Sequence, residues 1–185
     1  MIHLRPLVES DATLDYVAWL RDTDVNRFLE VRHNPPNQTE LKTWIRKCAE
    51  DASRQNFAVL SDASFIGTAS ILAVDKFNGT FQTGWMIGNK SYWGGKTSLS
   101  VMAALFDKGF ADEAMRKCFG RVFACHAKAR IANRAIGMIE EARITDSHLL
   151  DGEEVDTIIV SITRQQWLSS RNDLVSRLGL TVEST

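Results

Sequence analysis

The feature that most constrains the fold is a strand, a glycine-bearing loop and a helix that follow one another directly within residues 80–110. An apolar run, Thr80–Ile87, predicts the strand, and Asn78-Gly79 before it is typical of a hairpin turn. The loop contains Gly94 and Gly95, and the helix after it has apolar residues at helical spacing. Because a helix N-terminus presents unpaired N–H groups and the positive end of a dipole, this arrangement suits a phosphate group.

The rest of the sequence predicts a mixed α+β sheet with helices on its faces, because segments of strand and helix periodicity alternate along the chain. Asp151-Gly152 predicts a second two-residue hairpin. The further predicted strands are residues 2–5, 57–60, 65–74, 121–125, 139–150 and 153–163. The further predicted helices are residues 10–21, 25–30 capped by Asp24, one capped by Thr39 that contains Leu41 to Cys48, 127–135 and one within 165–185.

The bulk composition excludes several classes of protein. The 185 residues fit a single domain, and 44% hydrophobic residues suffice for a core. A net charge of −1 gives no electrostatic reason to expect a nucleic acid or an anionic membrane as partner. Three cysteines, an odd number without a CxxC spacing, argue against a disulfide framework and a metal site, and buried reduced thiols are expected instead. The N-terminus does not resemble a signal peptide and no apolar run is long enough to span a bilayer, so the sequence predicts a cytoplasmic protein.

Four segments, in their order and spacing, resemble the GNAT superfamily of N-acetyltransferases, in the branch that acetylates ribosomal-protein N-termini and many small amines. The segments are residues 2–7 with Asp11-Ala12, residues 65–68, residues 84–94, and residues 137–141 with Asp151-Gly152-Glu153, Asp156 and residues 164–167. The resemblance implies a mixed, mostly antiparallel central sheet with helices on both faces. It implies an acetyltransferase domain over residues 1–167, and residues 168–185 are then a C-terminal helical tail.

The resemblance implies acetyl-CoA as the cofactor. The main chain of Trp85, Met86 and Ile87 would pair with the pantetheine arm. The pyrophosphate would be held by Trp93, Gly94, Gly95, Lys96, Thr97 and Ser98. Lys96 stands where the family has a glycine, so its side chain points away, neutralises phosphate charge or blocks the site.

Three residues are candidates for catalysis. His126 follows a strand that ends near the thioester in this fold, and an imidazole with a pKa near ~6.5 suits proton transfer. Glu30 and Tyr92 are the other two candidates. The competing interpretation is a structural histidine for His126, a solvated or helix-end ion pair for Glu30 and a packed ring for Tyr92. The tyrosine that protonates the leaving thiolate in many relatives has no counterpart after Cys125, where the segment is shorter than expected.

The stretch 19–33 resembles family members that acetylate amino-sugar nucleotides, which implies that Glu30, Arg32 and His33 lie beside the acceptor. The sequence therefore predicts transfer of an acetyl group to a primary amine of a small molecule or a nucleotide-linked amino sugar. A protein N-terminus is the alternative acceptor, and a catalytically degenerate binding module is the alternative function. The chain is expected to act as a monomer or a homodimer.

Overall fold

A seven-stranded sheet with the strand order β1-β2-β3-β4-β5-β7-β6 forms the centre of the protein. The computed structural model describes residues 1–94 and 96–180. All neighbouring strands are antiparallel except β4 and β5, which are parallel. The strands are β1 (Ile2–Pro6), β2 (Gln55–Ser61), β3 (Ser64–Asp75), β4 (Thr80–Ile87), β5 (Lys117–Phe123), β6 (Ile139–Leu150) and β7 (Glu153–Thr163).

Helices cover both faces of the sheet. They are α1 (Leu14–Arg21), α2 (Thr23–Asn26), α3 (Gln38–Ala49), α4 (Thr97–Phe110), α5 (Ala127–Ala135) and α6 (Arg164–Leu178). Short 3-10 turns occur at Glu9–Asp11, Glu30–His33 and Lys90–Tyr92. None of the helices in the described ranges is long and apolar enough to cross a membrane.

The core consists of two clusters, one on each face of the sheet. Helix α4 dominates the larger cluster, since nine of its 14 residues are buried, and it packs there with α6. Helices α1 and α3 form the smaller cluster through residues such as Tyr16 and Ile45. Neighbouring residues of β2 serve opposite faces: Val59 lies in the larger cluster and Ala58 in the smaller. The predicted α+β architecture with helices on both faces is confirmed.

Some predicted boundaries were wrong because local hydrogen bonds outweigh periodicity. The second helix is capped by Asp22 instead of Asp24: the Asp22 carboxylate accepts the Asp24 N–H at 2.9 Å, and α2 ends at Asn26. The third helix is capped by Asn37 instead of Thr39, because Asn37 and Glu40 form a reciprocal capping box. Strand β5 was predicted over residues 121–125. It begins four residues earlier, at Lys117, and ends at Phe123, because its pairing with β7 covers these residues.

Helix α6 is anchored to α4 by a buried carboxylate. Asp107 on α4, whose side chain is 6% exposed, accepts two hydrogen bonds of 2.6 Å from the Arg171 guanidinium and one of 3.0 Å from the Trp167 indole. Trp167 itself is fully buried against Phe106. Thr163 caps the start of α6 and Gly179, in the left-handed conformation, ends it. The domain boundary predicted after residue 167 falls inside this helix and stays a prediction.

We expect Asp107→Ala to lower the free energy of unfolding by about 3 kcal/mol, because it leaves a largely buried guanidinium without its partner. Urea unfolding followed by tryptophan fluorescence measures the change. Asp173→Ala is the matched control, since Asp173 on the same helix pair is 82% exposed and lies 4.0 Å from Arg177. Equal stability of the two variants would show that the α4–α6 contact does not depend on Asp107.

Candidate active site

The central strands β4 and β5 part from each other in the middle of the sheet. Their pairing covers Thr80–Gln82 against residues 117–119 and then stops. Beyond this point β4 stays paired with β3 as far as Ile87, and β5 stays paired with β7 as far as Phe123. The two strands therefore enclose a V-shaped opening whose walls are main chain.

A buried thiol marks the root of this opening. The sulfur of Cys118 lies 3.7 Å from the Thr83 hydroxyl. Burial raises the pKa of the Cys118 thiol to about 12, so this group is not a nucleophile at neutral pH. The chemistry of the opening must come from groups nearer its mouth.

The end of β4 directs main-chain groups into the opening. The Gly88 N–H bonds to the Ile66 carbonyl on β3 at 2.9 Å, and since successive residues alternate in direction, the main-chain groups of Ile87 and Trp85 face the β5 side. The Ile87 carbonyl there accepts the Trp93 indole N–H at 2.7 Å. The Met86 side chain is buried in the smaller core cluster, and its main-chain groups face β3 instead of the opening. Of the three residues that the sequence predicts for the pantetheine arm, Trp85 and Ile87 face the opening, and that role stays a prediction.

The loop after β4 is fastened to the first helices. The Lys90 ammonium forms ion pairs of 2.8 Å with Asp22 and 2.7 Å with Asp24, and lies 5.5 Å from the centre of the Trp93 ring. Gly88 is in such close contact with the Trp19 ring that any Cβ there would collide with it. These contacts join the loop to the α1–α2 junction. Tyr92, in this loop, packs against the core.

The start of α4 leaves backbone donors open. Gly94 adopts a φ of +80°, and a Cβ placed on it would meet no atom within 4 Å. Thr97 and Ser98 form the first turn of α4, and no side chain caps it among the described residues. Their N–H groups fit a pyrophosphate, as does the positive end of the helix dipole. Gly95, the other predicted glycine, lies outside the described residues.

Lys96 lies between the ends of two antiparallel helices. Helix α6 runs along α4 from the Asp107 anchor back to the start of α4, and a Cβ on Gly179 would collide with the Lys96 ammonium. The ammonium therefore sits at the C-terminal end of α6, where carbonyl groups carry partial negative charge. Of the three alternatives from the sequence, the geometry favours a side chain that points toward α6.

The end of β5 carries a stack of rings. The last main-chain bond from the end of β5 to β7 is that of the Ala124 N–H to the Asp156 carbonyl. His126 follows two residues later and is the N-cap residue of α5. Its ring stacks on Phe28 with centroids 3.8 Å apart and an interplanar angle of 15°, and Phe28 lies 6.1 Å from Phe123. Burial, and secondarily the charge of Lys128, lowers the pKa of His126 below its usual 6.5. The imidazole is therefore neutral at pH 7 and able to accept a proton.

Two arginines join the α2 region to the β6–β7 hairpin. Arg32, 13% exposed, donates to the carbonyls of Leu29 at 2.9 Å and Leu149 at 3.1 Å, and also contacts Glu30 at 3.1 Å. Arg27 pairs with Asp151 at 2.9 Å. These bridges border the surface beside the end of β5, which we call the crevice.

The structure brings some of the predicted catalytic and acceptor residues together and separates others. The side chains of Glu30 and His33 are 68% and 62% exposed at the rim, 3.7 Å apart. Glu30 and Arg32 are in contact, and both belong to the segment that carries Phe28 and so reaches His126. Tyr92 belongs to the cofactor loop, and the described contacts do not join it to His126. Sequence reasoning missed Phe28 and Phe123, because nothing in a single sequence separates them from ordinary core rings. The catalytic and substrate roles stay predictions.

The family model for the acetyltransferase (GNAT) domain matches residues 2–139. The chain belongs to this family. It is therefore an N-acetyltransferase by family, and the family's cofactor is acetyl-CoA. The open main chain of β4 and the uncapped start of α4 fit that cofactor. No group of His, Cys, Asp and Glu in the described ranges is arranged to hold a metal ion.

Solved structures agree with this assignment at the level of the fold. A spermidine N-acetyltransferase from Vibrio cholerae in complex with CoA and spermine is similar with a TM-score of 0.81 at 16% identity, covering 90% of this chain and 98% of that one. A protein from T. thermophilus described as an acetyltransferase has a TM-score of 0.77 at 21% identity, covering 96% and 93%. No curated protein matches the sequence significantly.

We expect Lys96→Met to weaken acetyl-CoA binding about three- to tenfold, because the negative end of α6 is then no longer neutralised beside the phosphate site. Titration of tryptophan fluorescence with acetyl-CoA at low and high salt measures the effect, which should shrink as salt rises. Lys128→Met, on exposed α5, is the matched control. Tighter binding by Lys96→Met or Lys96→Gly would mean instead that the lysine obstructs the site.

Proposed function

We propose that this acetyltransferase modifies a primary amine of a small polar molecule, with a nucleotide-linked amino sugar as the best candidate. The observation that carries the proposal is the V-shaped opening between β4 and β5, with the start of α4 at one end and the His126–Phe28 stack at the other. This arrangement supports a separate place for the phosphates, for the thioester and for the acceptor amine.

The chemistry requires few side chains. Acetyl-CoA supplies an activated acyl group, and the nitrogen of a neutral amine forms the new bond to the acyl carbon as the bond to sulfur breaks. The inward-facing main-chain N–H groups of β4 stabilise negative charge on the carbonyl oxygen. His126, neutral at pH 7, accepts the proton that the amine loses. The chain needs no tyrosine on α5 for these steps, since positioning alone supplies a large part of the rate.

The charges at the crevice favour a polar or anionic acceptor over a polyamine. Arg27 and Arg32 lie there, and the nearby acids Asp151 and Glu30 are paired with them. A polyamine needs unpaired carboxylates, whereas a phosphate or carboxylate group can replace Asp151 on the exposed Arg27 guanidinium. Similarity to the spermidine enzyme at 16% identity supports the fold and does not identify the acceptor. A protein N-terminus is the second candidate.

We expect free thiol release from acetyl-CoA with a UDP-linked amino sugar at least tenfold faster than with spermidine or an alanyl peptide. Release is followed with a thiol reagent, and mass spectrometry identifies the acetylated product. Faster reaction with spermidine would contradict the acceptor assignment. Acetyl-CoA binding without turnover of any amine would instead favour the degenerate binding module.

His126→Gln should lower kcat at least about 100-fold and leave the KM for acetyl-CoA within twofold, because it removes the base and keeps the ring-sized polar group. In the native protein kcat should fall with acid only below pH 6.5, since the lowered pKa keeps the imidazole neutral above that value. Retained activity with an unchanged pH profile would exclude His126 as the base.

A further inference from the structure

A bulge in β6 lies next to the acceptor crevice. The register of β6 against β7 shifts between Ile144 and His148, and Asp146 within the shift has a φ of +49°. Asp156 on β7 holds the bulge, because its carboxylate accepts the Asp146 N–H at 3.0 Å and pairs with Arg143. Bulges of this kind redirect the side chains that follow them. His148 is the first residue of β6 that pairs with β7 after the bulge.

Two hydroxyl groups surround the Nδ1 atom of this imidazole. The Ser147 hydroxyl donates to Thr157 Oγ1 at 2.8 Å, and Thr157 Oγ1 lies 3.0 Å from His148 Nδ1. Thr157 is 2% exposed, so its hydroxyl proton needs an acceptor, and His148 Nδ1 and Ser147 Oγ both lie within reach. Ser147 Oγ also lies 3.1 Å from Nδ1. When Ser147 donates to Thr157 and Thr157 donates to Nδ1, the ring proton of the corresponding tautomer is on Nε2. That atom has no hydrogen-bond partner within residues 1–94 and 96–180.

The position of His148 places it on the hairpin wall of the crevice. Its ring meets Phe123 edge-on, with centroids 5.1 Å apart at 71°. Phe123 in turn lies beside Phe28, which stacks on His126, so the two imidazoles stand at opposite ends of one row of rings. The next residue, Leu149, accepts the Arg32 bridge that closes this wall.

We propose that His148 determines acceptor specificity by donating its Nε2–H to an oxygen atom near the reacting amine. The proposal rests on the proposed function and adds a substrate class to it: amines that carry a hydroxyl, carbonyl or phosphate oxygen close to the nitrogen. A plain alkyl polyamine offers no acceptor for this donor. Ser147 and Thr157 act as positioning residues, since they set the tautomer without reaching the substrate.

A pair of isosteric variants tests this role. The substitution His148→Asn keeps a polar group near Thr157 and removes the donor at the Nε2 position. His148→Gln instead places an amide where Nε2 lies. We expect His148→Asn to raise the KM for the UDP-linked amino sugar about tenfold, with kcat and the KM for acetyl-CoA within twofold. His148→Gln should stay within about threefold of the native KM. With spermidine neither variant should change KM.

Three results would overturn the proposal. They are an unchanged KM for the amino sugar in His148→Asn, an equal rise for spermidine, and a native histidine that carries its proton on Nδ1 in nitrogen-detected NMR. The NMR measurement needs no substrate, so it separates failure of the His148 network from failure of the proposed function. If the native protein acetylates no amine, the proposed function fails and the specificity role fails with it. Thr157→Val should turn the NMR signal into a mixture of tautomers.

Discussion

The structure depends on one interruption of main-chain pairing. Between Gln82 and Phe119 the parallel ladder of β4 and β5 ends, although each strand continues for several residues with its other neighbour. Unpaired N–H and C=O groups in the middle of a sheet are unfavourable unless something else satisfies them. The Trp93 indole satisfies one of these groups, the Ile87 carbonyl. The other inward-facing main-chain groups of β4 are the ones for which the sequence predicts pairing with the cofactor arm.

The packing of α6 on α4 places unfavourable partial charge beside the start of α4. The buried Asp107 contact aligns α6 antiparallel to α4, which brings the negative end of one helix beside the positive end of the other. The predicted phosphate site at the start of α4 would lose part of its attraction for anions if nothing compensated. A lysine at position 96 supplies a positive charge at that junction, so a residue that departs from the family's glycine has a physical reason in this chain.

Much of the fold could be predicted from local patterns, and the site only partly. The bounds of β4, α5, β6 and β7 agree with the sequence because Asn78-Gly79 and Asp151-Gly152 fix the two hairpins and clear periodicity fills the elements between turns. Cap positions failed where several capping residues stand close together, as with Asn37 and Thr39. Cys125 was expected to be buried and is exposed, because β5 ends two residues before it. The Arg32 contact with Leu149 spans 117 residues, and no local pattern encodes it.

The two arginine bridges over the crevice differ in strength. Arg27 and Asp151 are 55% and 68% exposed, so their ion pair contributes less than about 1 kcal/mol. The Arg32 guanidinium is largely buried, donates to two carbonyls and lies 5.7 Å from the centre of the Phe123 ring, so its loss would leave desolvated groups unpaired. Arg32 therefore holds the wall in place, and Arg27 can exchange Asp151 for an incoming anion at little cost. On the side proposed for the acceptor, the imidazoles stand at a fixed inner wall, and the rim can exchange one charge partner for another.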